Sequence, residues 1–208
     1  MSSVISSPSP TIDLAAVKSR QQTAWSTGNY AVQFQEADAE NLPFADAAFD
    51  AVLSTFGVMF TPDQDKAASE LARVCMPGGK IGLANWTPES FVGQVFKTIG
   101  KYIPPAPGVK SPALWGTEAR LGELFGETAR AIRTTSREFI FRYRSPAHWI
   151  EVFRTYYGPV NKAFGALDAG KQATFTQELL ALMASRNRSG NHTLVLPSEY
   201  LEVVIERK

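Results

Sequence analysis

Cysteine, histidine and closely spaced glycine are what this 208-residue chain has least of. Its one cysteine, Cys75, excludes an intramolecular disulfide and a cysteine-based zinc cluster. Its two histidines, His148 and His192, stand far apart and give no metal-ligand spacing. Each reads either as a general base or as a surface residue. No Gly-x-Gly occurs, and the phosphate-loop, G-x-S-x-G and H-E-x-x-H signatures are missing. No apolar run approaches the length of a membrane span. Neither sign of charge dominates: 21 Lys and Arg face 20 Asp and Glu, without a basic cluster suited to a nucleic acid. The opening MSSVISSPSP is rich in Ser and Pro and has no basic start or apolar stretch. Residues 1–13 are therefore expected to be a disordered tail rather than a secretion signal, and the protein cytoplasmic.

Hydrophobic residues make up 44% and charged residues 20%, enough for one well-buried domain over residues 14–208. Leu14 to Trp25 has a short helical pattern, and Val32 and Phe34 begin a strand. Ala51–Leu53, inside FDAVLSTFGVMF, reads as a strand buried on both faces, as in a parallel sheet. Thr61 is the expected cap of the next helix, with Pro62 in its first turn and Gln64 completing a capping box. Ala67, Ala68, Leu71, Val74 and Cys75 share a face, and Pro77-Gly78-Gly79 stops the helix. KIGLANW (80–86) is the second strand of a βαβ unit. Thr87-Pro88 repeats the cap-then-proline device. Thr117 and Ser145-Pro146 open later helices, REFIFRYRS alternates as a strand, and EYLEVVIER closes the chain as another. The class is α/β, with added cap helices within 87–128 and 145–188.

EADAENLPFADAAFD is the stretch with chemical content. A strand ending in Asp38 at the carboxyl edge of a parallel sheet lies where ligands bind in open α/β folds. Its carboxylate can accept from an exocyclic amine, the backbone N–H groups of Ala39 and Glu40 can donate to a ring nitrogen, and Leu42 and Phe44 can wall a base. Asp38 reads equally well as a turn cap.

Three motifs, in order and at normal spacing, carry a family resemblance. They are the acidic loop Asp38 to Phe44, the strand Phe49 to Val52 running on to Phe56, and the turn Arg73 to Lys80. Together they resemble class I S-adenosylmethionine-dependent methyltransferases, the small-molecule branch. The resemblance implies that Asp38 binds the adenine amine, that Ala39 and Glu40 present N–H to the ring, and that Ser54, Thr55 and Phe56 line the pocket. It further implies that Trp25 and Tyr30 fold over S-adenosylmethionine, and that Trp86, Phe91, Tyr102 and Trp115 face the substrate; core packing is the competing reading of these aromatics. No metal and no particular catalytic residue is implied.

The chain departs from the family in lacking its glycine-rich first motif. Taken as an entrance segment followed at Ala31–Gln33 by the family's third strand, it lacks strands 1 and 2, a loss of roughly 60 to 80 residues. The expected fold is then an incomplete Rossmann-like methyltransferase sheet. Its bare strand edge invites a homodimer, and S-adenosylmethionine binding is expected to be weak or lost. The expected activity is impaired methyl transfer to a small molecule. The alternative is a truncated, non-catalytic relic, a pseudoenzyme with an interaction or scaffold role.

Overall fold

The structure, a computed structural model, describes residues 35–208. The expected tail, the helical pattern at 14–25 and the strand at Ala31–Gln33 lie outside the described residues. Ala37–Lys208 forms one compact unit.

Four strands make its sheet: β1 (Phe49–Thr55), β2 (Cys75–Trp86), β3 (Ala129–Tyr143) and β4 (Leu194–Arg207), in the order β1-β2-β4-β3. β1 and β2 are parallel, joined by helix α1 (Gln64–Val74); β4 runs antiparallel to both neighbours. Ile81 and Leu83 of β2 register with Ile205 and Val203 of β4, and all four are buried. The intervening Gly82, Ala84 and Val204 are only half-buried. Strand alternation thus gives the sheet one fully packed face.

β1 corrects an expectation. It was read as buried on both faces, but Leu53 is 79% exposed while Val52 and Ser54 are half-buried. The reason is position: β1 is the outer strand of the described sheet, and only alternate side chains meet the core. Leu53 lies over Gly82, where an added Cβ would come within 2.6 Å of its Cδ2. The turn into β2 also differs. Pairing jumps from Phe49 with Cys75 to Ala51 with Lys80, so Met76–Gly79 loop out of the ladder. Gly78 takes φ 78°, and a Cβ on Gly79 would press on the carbonyl oxygens of Asp50 and Met76.

Two caps fall later than expected. Thr61 spends both its N–H and its hydroxyl on the Val58 carbonyl, closing the 3-10 turn Val58–Phe60. Asp63 caps α1 instead, accepting from the Lys66 N–H at 2.9 Å. Thr87 instead opens a turn, its carbonyl accepting from Ser90. Ser90 then caps α2 (Phe91–Tyr102). Thr117 and Ser145 cap α3 (Glu118–Phe125) and α4 (Pro146–Tyr156) as expected. A helix not foreseen, α5 (Gly158–Ala166), precedes α6 (Ala169–Arg186). The long β3–β4 pair is packed against α2 and α4: Phe141 meets Phe91 and Phe153 edge-on.

Gln64, expected in a capping box, is buried and joins three segments. Its Nε2 donates to the Ser111 carbonyl and its Oε1 accepts from Arg120 Nε. Arg120 is 5% exposed and donates on to Asp65 and Glu123, both about two-thirds exposed. In Arg120→Ala water can take over the carboxylates, but Gln64 Oε1 is left buried without a partner. The expected loss is about 1–3 kcal/mol in urea denaturation; an unchanged midpoint would contradict this role.

Candidate functional site at the carboxyl edge

The acidic loop is held from below by one side chain. Arg73, on the last turn of α1, donates to the Phe44 carbonyl at 2.7 Å, the Leu42 carbonyl at 3.0 Å and Asp46 at 2.8 Å. Its remaining donors form a two-point pair with Glu70 at 2.7 and 2.8 Å. Glu70 Oε2 in turn accepts from the Leu42 N–H at 2.7 Å. The planar guanidinium serves carbonyls and a carboxylate together, which an ammonium cannot copy. Arg73 was matched as part of a motif, but its partner Glu70 escaped sequence reasoning; the i,i+3 spacing was the available signal.

Above this clamp Asp38 is exposed, and its Oδ1 accepts from the Glu40 N–H at 2.9 Å. The turn-cap reading therefore holds, and one of the two backbone donors expected for a ring nitrogen is engaged. Among the described residues Asp38 Oδ2 has no hydrogen-bond partner, and Ala39 is half-buried. Glu40 reaches the other way: its Oε1 accepts from the Asp63 N–H at 2.8 Å. That bond ties the acidic loop to the segment that leaves β1. Phe44 packs edge-on against Phe49.

At the end of β1, Ser54 Oγ accepts from the Val58 N–H at 3.0 Å and fixes the turn. Thr55 is exposed. Phe56 takes φ 58°, a left-handed conformation costly for a bulky residue. It is held there by its N–H on the Ala84 carbonyl and by stacking on Trp86, with centroids 4.2 Å apart. Trp25 and Tyr30 lie outside the described residues.

Of the aromatics that the resemblance turns toward the substrate, Trp86, Phe91 and Trp115 are buried in the core and Tyr102 is half-buried against it. Phe91 and Trp115 are fully buried, Trp86 stacks under Phe56, and Tyr102 donates its hydroxyl to Glu178. His148 sits in the first turn of α4, its Nδ1 accepting from the Arg144 N–H at 3.4 Å. His192 is exposed in the turn before β4. Sequence reasoning missed a cavity of about 600 Å³ between α2 and the loop that follows it. Phe60 and Thr61, after β1, and Pro88 and Glu89, after β2, line its edge. Two of its lining segments are thus those that leave the carboxyl ends of the parallel strands β1 and β2.

With this geometry in view, the comparisons are specific. The pattern of the Methyltransferase domain family matches residues 8–83. An uncharacterized protein of Mycobacterium tuberculosis is 36% identical over 193 residues, covering 91% of this chain and 69% of that protein. The ubiquinone/menaquinone biosynthesis C-methyltransferase of Brucella anthropi is 53% identical over 50 residues, which is 24% of this chain and 19% of that enzyme. The YcgJ protein of Bacillus subtilis has a similar fold, with TM-score 0.55 and 17% identity over 95% of this chain and 80% of that one. The chain belongs to the methyltransferase-domain family. Among the described residues no helix is long and apolar enough to cross a membrane.

The clamp sets a pH signature. The Arg73 hydrogen bonds hold the Glu70 carboxyl down from its ordinary 4.5 to about 2. A depressed acid contributes stability that is full above its unfolded pKa and is lost as pH falls through the folded one. The loop should therefore stay clamped down to pH 4.5 and loosen between there and pH 2. NMR titration is expected to place the Glu70 midpoint near 2. In Arg73→Ala the midpoint should return toward 4.5 and the amides of residues 39–46 should exchange faster. An ordinary Glu70 midpoint in the native protein would contradict the clamp.

Proposed function

We propose that this chain is an S-adenosylmethionine-dependent methyltransferase-type protein whose acceptor is a small molecule. The observation that carries the reading is the acidic loop, clamped by Arg73 and tied by Glu40 to the end of β1, beside a cavity at the same edge. The residues fit the adenine end of the cofactor: Asp38 Oδ2 can accept the exocyclic amine, Ala39 N–H can donate to the ring, and Ser54, Thr55 and Phe56 can form the adjoining wall. When bound, the cofactor supplies an electrophilic methyl group on sulfur. The protein's part is to bind, to orient and to keep water away.

The family match begins at residue 8, ahead of the strand expected at Ala31–Gln33. The 208 residues still hold no Gly-x-Gly turn for the methionine end. Weak binding of the cofactor follows from that missing turn.

A second reading, a non-catalytic scaffold, draws on that missing turn and on the engaged Glu40 N–H. It also gives the outer edge of β1, with Leu53 79% exposed, to a second copy of the chain. Light scattering tests the edge: a concentration-dependent dimer abolished by Leu53→Lys is expected, and a strict monomer at every concentration counts against it. Isothermal titration of the purified protein tests the main reading. Weak binding of S-adenosylmethionine, reduced further in Asp38→Ala, is expected. Micromolar affinity would overturn the impairment, and no binding at all would favour the scaffold.

A further inference from the structure

Helix α2 holds two glycines, Gly93 and Gly100, seven residues apart and on one face with Phe96. Both line the cavity. Gly93 has a packing reason: an added Cβ would stand 2.2 Å from the Thr87 carbonyl oxygen and 2.6 Å from that of Pro88. Gly100 has none. An added Cβ would meet no atom within 4 Å, and its φ is not positive. Glycine is the weakest helix former after proline, so neither close packing nor backbone geometry accounts for it there. What it does is leave the cavity wall without a side chain.

Most of the rest of the lining is apolar. Phe60, Phe96, Ile99, Ile103, Val109 and Leu114 come from four separate segments. The polar groups are few and mostly committed. Gln94 donates to the Pro88 carbonyl, Thr61 bonds Val58, and Lys110 pairs with Asp65 at 3.5 Å. Lys97 and Glu89, of opposite sign, are exposed. A volume of about 600 Å³ is that of an ordinary small-molecule site. The loop that walls it is fastened to α1 and α3 by the buried Gln64–Arg120 link at Ser111.

Resting on the methyltransferase reading, we propose that this cavity is the acceptor site, that it takes an uncharged molecule with an apolar aromatic or alkyl body, and that Gly100 sets the size admitted. The edge bounded by Thr61 and Pro88 is where the acceptor's reacting atom lies, because that edge adjoins the ends of β1 and β2. Charged or strongly polar acceptors find no buried partner in it.

The test uses para-alkylphenols, ethyl to hexyl, titrated calorimetrically into the full chain. One site per chain is expected, with affinity rising about fourfold per methylene as each is buried. Gly100→Phe is expected to weaken hexylphenol binding at least tenfold with no fall in melting temperature. Gly122→Phe is the control. Gly122 lies on α3 away from the cavity with equal room for a Cβ, and binding should not change. If Gly100→Phe fails to fold, Gly100→Leu replaces it. Affinity independent of chain length, or unchanged in a folded Gly100 variant, overturns the proposal. S-adenosylmethionine is titrated in parallel. Phenol binding without cofactor binding keeps the cavity's chemistry and removes its acceptor role. Cofactor binding without phenol binding rejects the cavity assignment alone.

Discussion

Everything assigned to the carboxyl edge depends on the fork of Arg73. Its five hydrogen bonds take two backbone carbonyls of the acidic loop, the Asp46 carboxylate and both oxygens of Glu70. The loop has no fully buried residue between Asp38 and Asp46 to order it, and its backbone groups need partners. Arg73 and Glu70 supply them from a helix already fixed by Ala67, Ala68 and Leu71 in the core. Asp38 can then present a free oxygen because Arg73 satisfies the loop beneath it. The burden on the acidic loop is thus split between residues that hold it and residues that face outward.

The same division runs through the rest of the fold. Phe56 sits in a costly left-handed conformation, sustained by the Ala84 carbonyl and the Trp86 ring. That strain persists at the end of a parallel strand because neighbours on both sides over-determine it. On the other side of α2, Arg120 and Gln64 fasten the loop that walls the cavity. Two arginines, each fed by helix-borne partners, thereby fix the two loops that frame the edge.

Much of this was legible in the chain. The loop, the strand and the Pro-Gly-Gly turn were readable because each is contiguous, and contiguous motifs keep their spacing. The later caps at Thr117 and Ser145 were readable for the same reason. Thr61 closes one short turn and Thr87 opens another, so the caps fall to Asp63 and Ser90; a threonine before a proline serves either role. The sequence of β1 predicts burial on both faces because an apolar run does not say where a strand falls in the sheet, and among the described residues β1 is the outer one. The cavity was invisible because its lining comes from distant segments, and an absence at Gly100 leaves no pattern. The aromatics Phe91 and Trp115 were assigned to the substrate side on resemblance, yet size alone drew them into the core.

The most direct test is a titration of isotope-labelled protein with S-adenosylhomocysteine, followed by backbone amide NMR. If the clamped loop is the adenine end of a cofactor site, the amides of Asp38 to Leu42 and of Ser54 to Gly57 move together and saturate with one dissociation constant. Those of α4 and α6 stay still. Shifts absent from the loop, or confined to the α2 cavity, would contradict the claim that Arg73 holds a cofactor-binding edge.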